Sequence, residues 1–344
     1  MAITIHRNDD RVWLEGVQGW FVGDKESSSH AAQEAIMQAL GEKIDYTTLV
    51  GVSGLAFRMQ VSKEGLCPSS PHPACGFQCL ERSNMALPWD LQFYSIRPND
   101  SDDVLQVRQV VLESIEHGVP VQYGSEEDGV VIGYQKGGEE WLCLHPYREG
   151  GKTMFVEPNL PWGVAIFTGR KTQPTNLKKL ALGALQQALH MAHDEQAGGY
   201  FVGAKAWEVY LEKLEALQLA NDDSRQESMP GNAWIYECLV QFRRTAATYL
   251  RGLAGEFSSP AAAHLNKAAS LYTEMTESIL CNEEQCFTTI APYPWLLKEG
   301  QRWSPDMIQE QIKRLMETEP LEHEALHVLE QALALIDALP VRML

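Results

Sequence analysis

Between residues 67 and 79 the chain reads Cys-Pro-Ser-Ser-Pro-His-Pro-Ala-Cys-Gly-Phe-Gln-Cys, the densest set of reactive groups in its 344 residues. Cys67, His72, Cys75 and Cys79 are soft donors, and thiolates with an imidazole suit a tetrahedral zinc ion. Their spacing, C-x4-H-x2-C-x3-C, matches no standard finger or ribbon, and so tight a cluster leaves little chain to wrap an ion. The same residues also read as reactive thiols, with Cys67 the best nucleophile, or as structural cysteines of a buried loop, which is the ordinary state of such residues. No cofactor is expected from the sequence, zinc at this cluster being the one alternative.

A second set is spread along the chain. Ser28, His145 and Asp128 supply a hydroxyl, an imidazole and a carboxylate, the residue types of a triad that is recognised by geometry and not by order. Ser27-Ser28-Ser29 directly precedes an apolar run, however, and three hydroxyls at a helix start are more simply caps. Cys281 and Cys286 flank acidic residues that raise a thiol pKa, which makes them inert thiols. His190 and His193 read as helix C-terminal caps in preference to metal ligands. His323 and His327, at i and i+4 on the last helix, could hold a metal, yet Glu322, Glu324 and Glu330 around them suggest a solvated face, and Gly198-Gly199 with Gly203 reads as a connector before a helix.

These groups need elements to hold them. Ala31 to Leu40, closed by Gly41, predicts a helix with a hydroxyl start and a glycine end. Asp103 to His117 carries Val104, Val107, Val111 and Ile115 at helical spacing and stops at Gly118. Val119–Tyr123, Gly129–Gln135, Glu140–Leu144 and Val164–Phe167 read as strands, the middle two joined by a turn at Lys136-Gly137-Gly138. From Leu177 onward the pattern is helical. Its stripes include Trp207, Tyr210, Phe242, Tyr249 and Tyr272, which are core aromatics and not a ligand cage. Asn221–Gly231 is expected as a loop, with a helix opening at Asn232 and the last helix following Pro320. Ser259-Pro260 and Ser304-Pro305 read as cap plus first-turn proline. Trp89, Phe93, Tyr94 and Trp162 lie off the helical stripes and are candidates to line a cleft. The expected fold is α+β: an antiparallel sheet with helices over residues 1–170, then a helical bundle over 171–344.

Four segments carry a family resemblance. They are Ser27-Ser28-Ser29-His30 through Gly41, then Gly51-Val52-Ser53-Gly54-Leu55-Ala56-Phe57-Arg58. Next come Gly118-Val119-Pro120-Val121 with Val130-Val131-Ile132-Gly133-Tyr134 and Leu144-His145-Pro146, and last Gly198 to Trp207. Over most of residues 15–255 the chain resembles the butirosin biosynthesis protein H family, within the papain-like group that includes the bacteriocin-leader peptidases. The resemblance implies a papain-like front half and acyl-transfer or amide-bond chemistry. It also implies a cysteine at the start of the first helix, a histidine before the Val-Val-Ile-Gly strand, and an Asp or Asn before the next proline. This chain departs at all three places: the first falls on Ser28 or a neighbour, the second on Glu127 or Asp128, and the third on His145. A serine without an imidazole base is a poor nucleophile, so the thiol mechanism is absent as written.

Net charge is −18, from 46 acidic and 28 basic residues. Nucleic acid and anionic membrane are bound through Lys and Arg, so neither is expected as a partner. The N-terminal residues lack a signal-peptide layout and no window of 18 apolar residues occurs, so a cytoplasmic protein with mostly reduced thiols is expected. Three functions remain. The first is a papain-like protein without the Cys/His pair that binds a small molecule or peptide in the old cleft. The second is an acyltransferase or amide-bond enzyme using Cys67 or Ser28 with His72 or His145; the acidity argues against a carrier-protein substrate, since like fields slow encounter. The third is a structural module, with the bundle presenting a face to a partner or to a second copy in a homo-oligomer.

Overall fold

The structure is a computed structural model that describes residues 3–337 apart from 22, 24, 96, 98–100, 149, 150, 160 and 283–285. The chain begins with β1 (Thr4–Arg7), β2 (Arg11–Glu15), α1 (Ser28–Ala39), α2 (Tyr46–Ser53), β3 (Gln60–Ser62) and α3 (Leu80–Ala86). It continues through β4 (Trp89–Ser95), α4 (Ser101–Glu116), β5 (Val121–Gly124), β6 (Asp128–Gln135), β7 (Glu140–Leu144), β8 (Phe155–Glu157) and β9 (Gly163–Arg170). The second half holds α5 (Leu177–His193), β10 (Gln196–Ala197), β11 (Tyr200–Val202), α6 (Gly203–Leu219), α7 (Asp222–Ala254), α8 (Ser259–Glu274), α9 (Cys286–Thr289) and α10 (Pro305–Asp337). The architecture is thus mixed α+β. No helix among the described residues is long and apolar enough to cross a membrane.

Contacts divide the chain into two compact units, Met1–Leu49 with Ser83–Asn176, and Val50–Arg82 with Leu177–Leu344. The change of composition near residue 170 does not express the excursion of residues 50–82 into the second unit. That segment contributes β3, whose Gln60–Ser62 pairs antiparallel with Tyr200–Val202.

The first unit is built on an antiparallel sheet in the order β1-β2-β6-β5-β9-β4, with β7 on the other edge of β6 and β8 beyond it. One edge of β6 is shared: β5 takes Asp128–Val131 and β2 takes Gly133–Gln135. A Cβ at Gly133 would lie 2.4 Å from the Val12 carbonyl oxygen, so only glycine lets β2 approach there. Val130, Val131 and Ile132 are all buried. Successive strand residues face opposite ways, so both faces of β6 are covered. Helix α1 packs on β5 and β6, and α4 on β2, β5, β6 and β9. Small residues explain how α1 approaches so closely: Ala31, Ala32, Ala35 and Ala39 are buried together with Ile36 and Met37.

In the second unit, α6, α7 and α10 meet in one core through Trp207, Tyr210, Ile235, Leu239, Ile312 and Leu315. Each such aliphatic side chain contributes roughly 1.5–3 kcal/mol on burial. A closed polar triangle sits inside it: Tyr210 Oη donates to Asn232 Oδ1 (2.7 Å), Asn232 Nδ2 to Gln311 Oε1 (2.9 Å), and Gln311 Nε2 to Tyr210 Oη (2.8 Å). The aromatics Phe242, Tyr249 and Tyr272 are buried as the helical stripes require.

Two expected boundaries are corrected. Asn221–Gly231 is not a loop: α7 starts at Asp222, and the Asn221 side chain accepts a 2.9 Å bond from Ser224 N as its cap. Pro230 lies inside this helix, and Gly231 serves close packing, because a Cβ there would stand 1.9 Å from the Leu66 carbonyl oxygen. The last helix does not follow Pro320 but runs through it from Pro305. Pro320 is exposed, so the carbonyl it leaves without an amide partner is open to water. At α8 the cap position is Ser258, with Pro260 in the first turn. Gly231→Ala is therefore expected to cost about 1–3 kcal/mol in urea unfolding, as an overpacked site does. An unchanged midpoint would contradict the close approach.

Candidate functional site

The hydroxyls at the start of α1 do not cap it. Ser27 occupies the N-cap position with an extended backbone, yet its Oγ lies 2.6 Å from His30 Nδ1. Ser28 Oγ donates to Glu127 Oε2 at 2.5 Å and accepts from the Asp128 backbone N–H at 2.9 Å. Ser29 Oγ donates to Asp128 Oδ2 at 2.5 Å, and Gln122 Nε2 reaches the same oxygen at 2.7 Å. At the cap position the Ser27 hydroxyl is taken by His30, and Ser28 and Ser29 are drawn to carboxylates, whose hydrogen bonds are roughly twice as strong as neutral ones. The turn between β5 and β6 delivers these acids: Ser125 donates from its N–H and its hydroxyl to the Glu127 carbonyl.

His145 follows β7 and stands at the edge of the group. Its Nδ1 accepts from the Tyr147 N–H at 3.3 Å, which leaves Nε2 to carry the proton toward the Glu127 carbonyl at 3.4 Å. The ring stacks with Tyr123, the centroids 6.2 Å apart. Burial holds the imidazole below its usual pKa, so it is neutral at pH 7. Glu127 moves the opposite way. Burial, aided by Asp128 and Glu126 and opposed by the Ser28 hydrogen bond, pushes its carboxyl up to about 7.

Ser28, Asp128 and His145 thus share one site, but not as the triad their types suggest. The partner of Ser28 is Glu127; Asp128 bonds Ser29 and Gln122, and His145 reaches only a main-chain oxygen. Sequence placed the base position on Glu127 or Asp128 without separating them. Gln122 gave one faint signal, a polar residue within the strand Val119–Tyr123.

The cysteine loop lies in the second unit and is organised by a residue that sequence reasoning missed. The Arg58 guanidinium donates to the carbonyls of Pro71 (2.5 Å), His72 (2.6 Å), Cys75 (2.9 Å) and Phe77 (3.1 Å), with Cys79 Sγ at 3.8 Å. Gln60 Nε2 adds bonds to the carbonyls of Ser70 and Cys75. Among the described residues, no three His, Cys, Asp or Glu groups, Cys67, His72, Cys75 and Cys79 included, are placed together as ligands of one ion. Cys79 is buried, and burial raises its thiol pKa despite Arg58 and Arg82. Cys67 and Cys75 are half-buried. Burial and a hydrogen bond to Cys75 push the nearby Tyr200 phenol up to about 12.

The remaining candidates have structural partners. Cys281 and Cys286 are joined in a disulfide, where inert thiols were expected; Glu283 and Glu284 between them lie outside the described residues. Their Cα atoms lie 5.4 Å apart, within the span a disulfide bridges. His190 pairs with Asp194 (3.2 Å), and His193 and His327 both approach Glu330 (2.8 and 3.4 Å). Gly203 has φ +56° and sits against the Met191 carbonyl, a tight connector. Of the cleft candidates, Trp89 donates its indole N–H to Glu42, while Phe93 and Trp162 are 61% and 64% exposed. No protein-family model matches the chain, and no curated protein matches it either.

Proposed function

We propose that the first unit is a papain-like binding domain that takes a small molecule or peptide beside the start of α1, without thiol–imidazole chemistry. The observation that carries this reading is the pair of serine–carboxylate bonds, Ser28 to Glu127 and Ser29 to Asp128. They stand where the resemblance would put a thiol and its imidazole base. Glu127, Asp128 and His145 are each only half-buried, so a ligand can reach polar groups of both kinds there.

The test is a fluorine-NMR screen of fragments and short peptides against the whole protein, with the His145 imidazole resonances as the site reporter. Binding is expected to shift His145 and to weaken at least about tenfold, near 1.4 kcal/mol, in Ser28→Phe, which replaces the serine hydroxyl by a bulky ring. Hits that leave His145 unmoved and bind Ser28→Phe equally well would overturn the reading.

A further inference from the structure

The sheet of the first unit ends on three strands, β1, β8 and β4, and these edges are not alike. β1 has four residues, and its His6 and Arg7 are tied to the Glu15 and Glu116 carboxylates. β8 has three residues and closes with Glu157. Shortness and charge are how an edge, with its row of unpaired N–H and C=O groups, is kept from pairing with another chain. β4 is less guarded. It runs for seven residues, Trp-Asp-Leu-Gln-Phe-Tyr-Ser, of which Asp90 alone is charged at pH 7. One side pairs with β9, and among the described residues no strand pairs with the other. The irregularity in that pairing leaves Thr168 of β9 unmatched, so β4 keeps its alternation. Trp89, Leu91 and Phe93 therefore face one way, and Asp90, Gln92 and Tyr94 the other. Phe93 is 61% exposed, and Trp89 and Leu91 are half-buried.

We propose that β4 pairs with β4 of a second copy of this chain, antiparallel about a two-fold axis through Gln92, so that the two sheets join into one. An isologous contact needs a surface that is its own complement, and this strand is one. Gln92 is the middle of the seven residues, so the axis there is the only one that pairs them all. Trp89 then lies opposite the partner's Ser95, Asp90 opposite the partner's Tyr94, Leu91 opposite the partner's Phe93, and Gln92 opposite its own copy. On one face each exposed Phe93 ring gains an aliphatic neighbour across the axis, a favourable cross-strand pair. On the other, the Asp90 carboxylate meets a phenol that can donate to it, and the two Gln92 amides each offer a donor and an acceptor. An axis through Asp90 would instead set two carboxylates against each other. A ribbon of seven residues covers less than the roughly 800 Å² per partner of a standard interface, so the dimer is a reversible one of micromolar affinity.

The experiment is sedimentation velocity on the full chain across the micromolar range, with amide hydrogen exchange of residues 89–95 at the two ends of that range. The expected result is a monomer–dimer equilibrium in which exchange over β4 slows as concentration rises. Gln92→Lys and Gln92→Glu each set like charges face to face on the axis and should raise the dissociation constant about five- to tenfold. Mixed in equal amounts, the two variants should associate at least as tightly as wild type, because the facing charges are then opposite. Gln92 is exposed, so both variants are expected to fold, and circular dichroism melts check that they do. A chain that stays monomeric throughout overturns the proposal and leaves the edge to an extended peptide of another protein. Association that is unchanged in both single variants, or a mixture no tighter than either alone, overturns it as well.

Discussion

Glu127→Gln should make the protein about 3 kcal/mol more stable than wild type at pH 8, with the two equal near pH 4. Burial raises the Glu127 carboxyl in the folded state to about 7, from an ordinary value of 4.5. Between those two values the folded chain holds a proton that the unfolded chain has lost, so wild-type stability falls as pH rises through that window. Below about 4.5 both states are protonated and the favourable contribution is complete; above about 7 it is gone. Each pKa unit corresponds to about 1.4 kcal/mol, which gives the figure of about 3. Glutamine keeps an acceptor for the Ser28 hydroxyl and has no proton to lose. Carboxyls remote from Glu127 titrate alike in both proteins and cancel in the difference. Urea unfolding at pH 4, 6 and 8 measures it, and a gap that does not grow with pH would show that Glu127 is not desolvated.

The second large effect belongs to Arg243, fully buried in α7. Its Nε and Nη2 donate to the two oxygens of Glu322 at 2.8 and 2.6 Å, and its Nη1 to the Ala56 carbonyl at 2.8 Å. The guanidinium also lies over the Tyr272 ring, 5.6 Å from its centre. Arg243→Met is expected to cost about 3–5 kcal/mol, because it leaves the Glu322 carboxylate buried without its counter-charge. The double variant Arg243→Met with Glu322→Leu should cost less than Arg243→Met alone, since no charge then remains in the core. A double variant whose loss equals the sum of the single losses would show that the pair is not energetically coupled.

What the sequence conveyed follows the range of the forces involved. Periodicity reports on neighbours along the chain, so the buried face of α1, the turn at Lys136–Gly138 and the core stripes of α5 to α8 were all readable. Proline and glycine are local punctuation too, but their meaning depends on what lies opposite. Pro230-Gly231 reads as a turn until the Leu66 carbonyl is brought against Gly231. Pro320 reads as a start until α10 is seen to carry it on the solvent side. The site was half legible. Ser28, Glu127 or Asp128, and His145 were candidates in the sequence, and the structure brings them together at the start of α1. Which acid meets which serine depends on a turn of three residues, Ser125 to Glu127, whose hydrogen bonds leave no pattern in the amino-acid order. Four cysteine and histidine side chains suggested a metal, while the group that organises the loop was an arginine outside the segment.

That arginine changes what can vary in residues 67–79. A zinc-held loop is defined by its ligands, and exchanging any one of them dissolves it. Arg58 is held instead by four main-chain oxygens, and every amino acid brings the same oxygen. Pro71, His72, Cys75 and Phe77 thus hold Arg58 through a group that substitution does not remove, while Gln60 and the His72 imidazole, which accepts from the Ala74 N–H, add side-chain ties that substitution would cut.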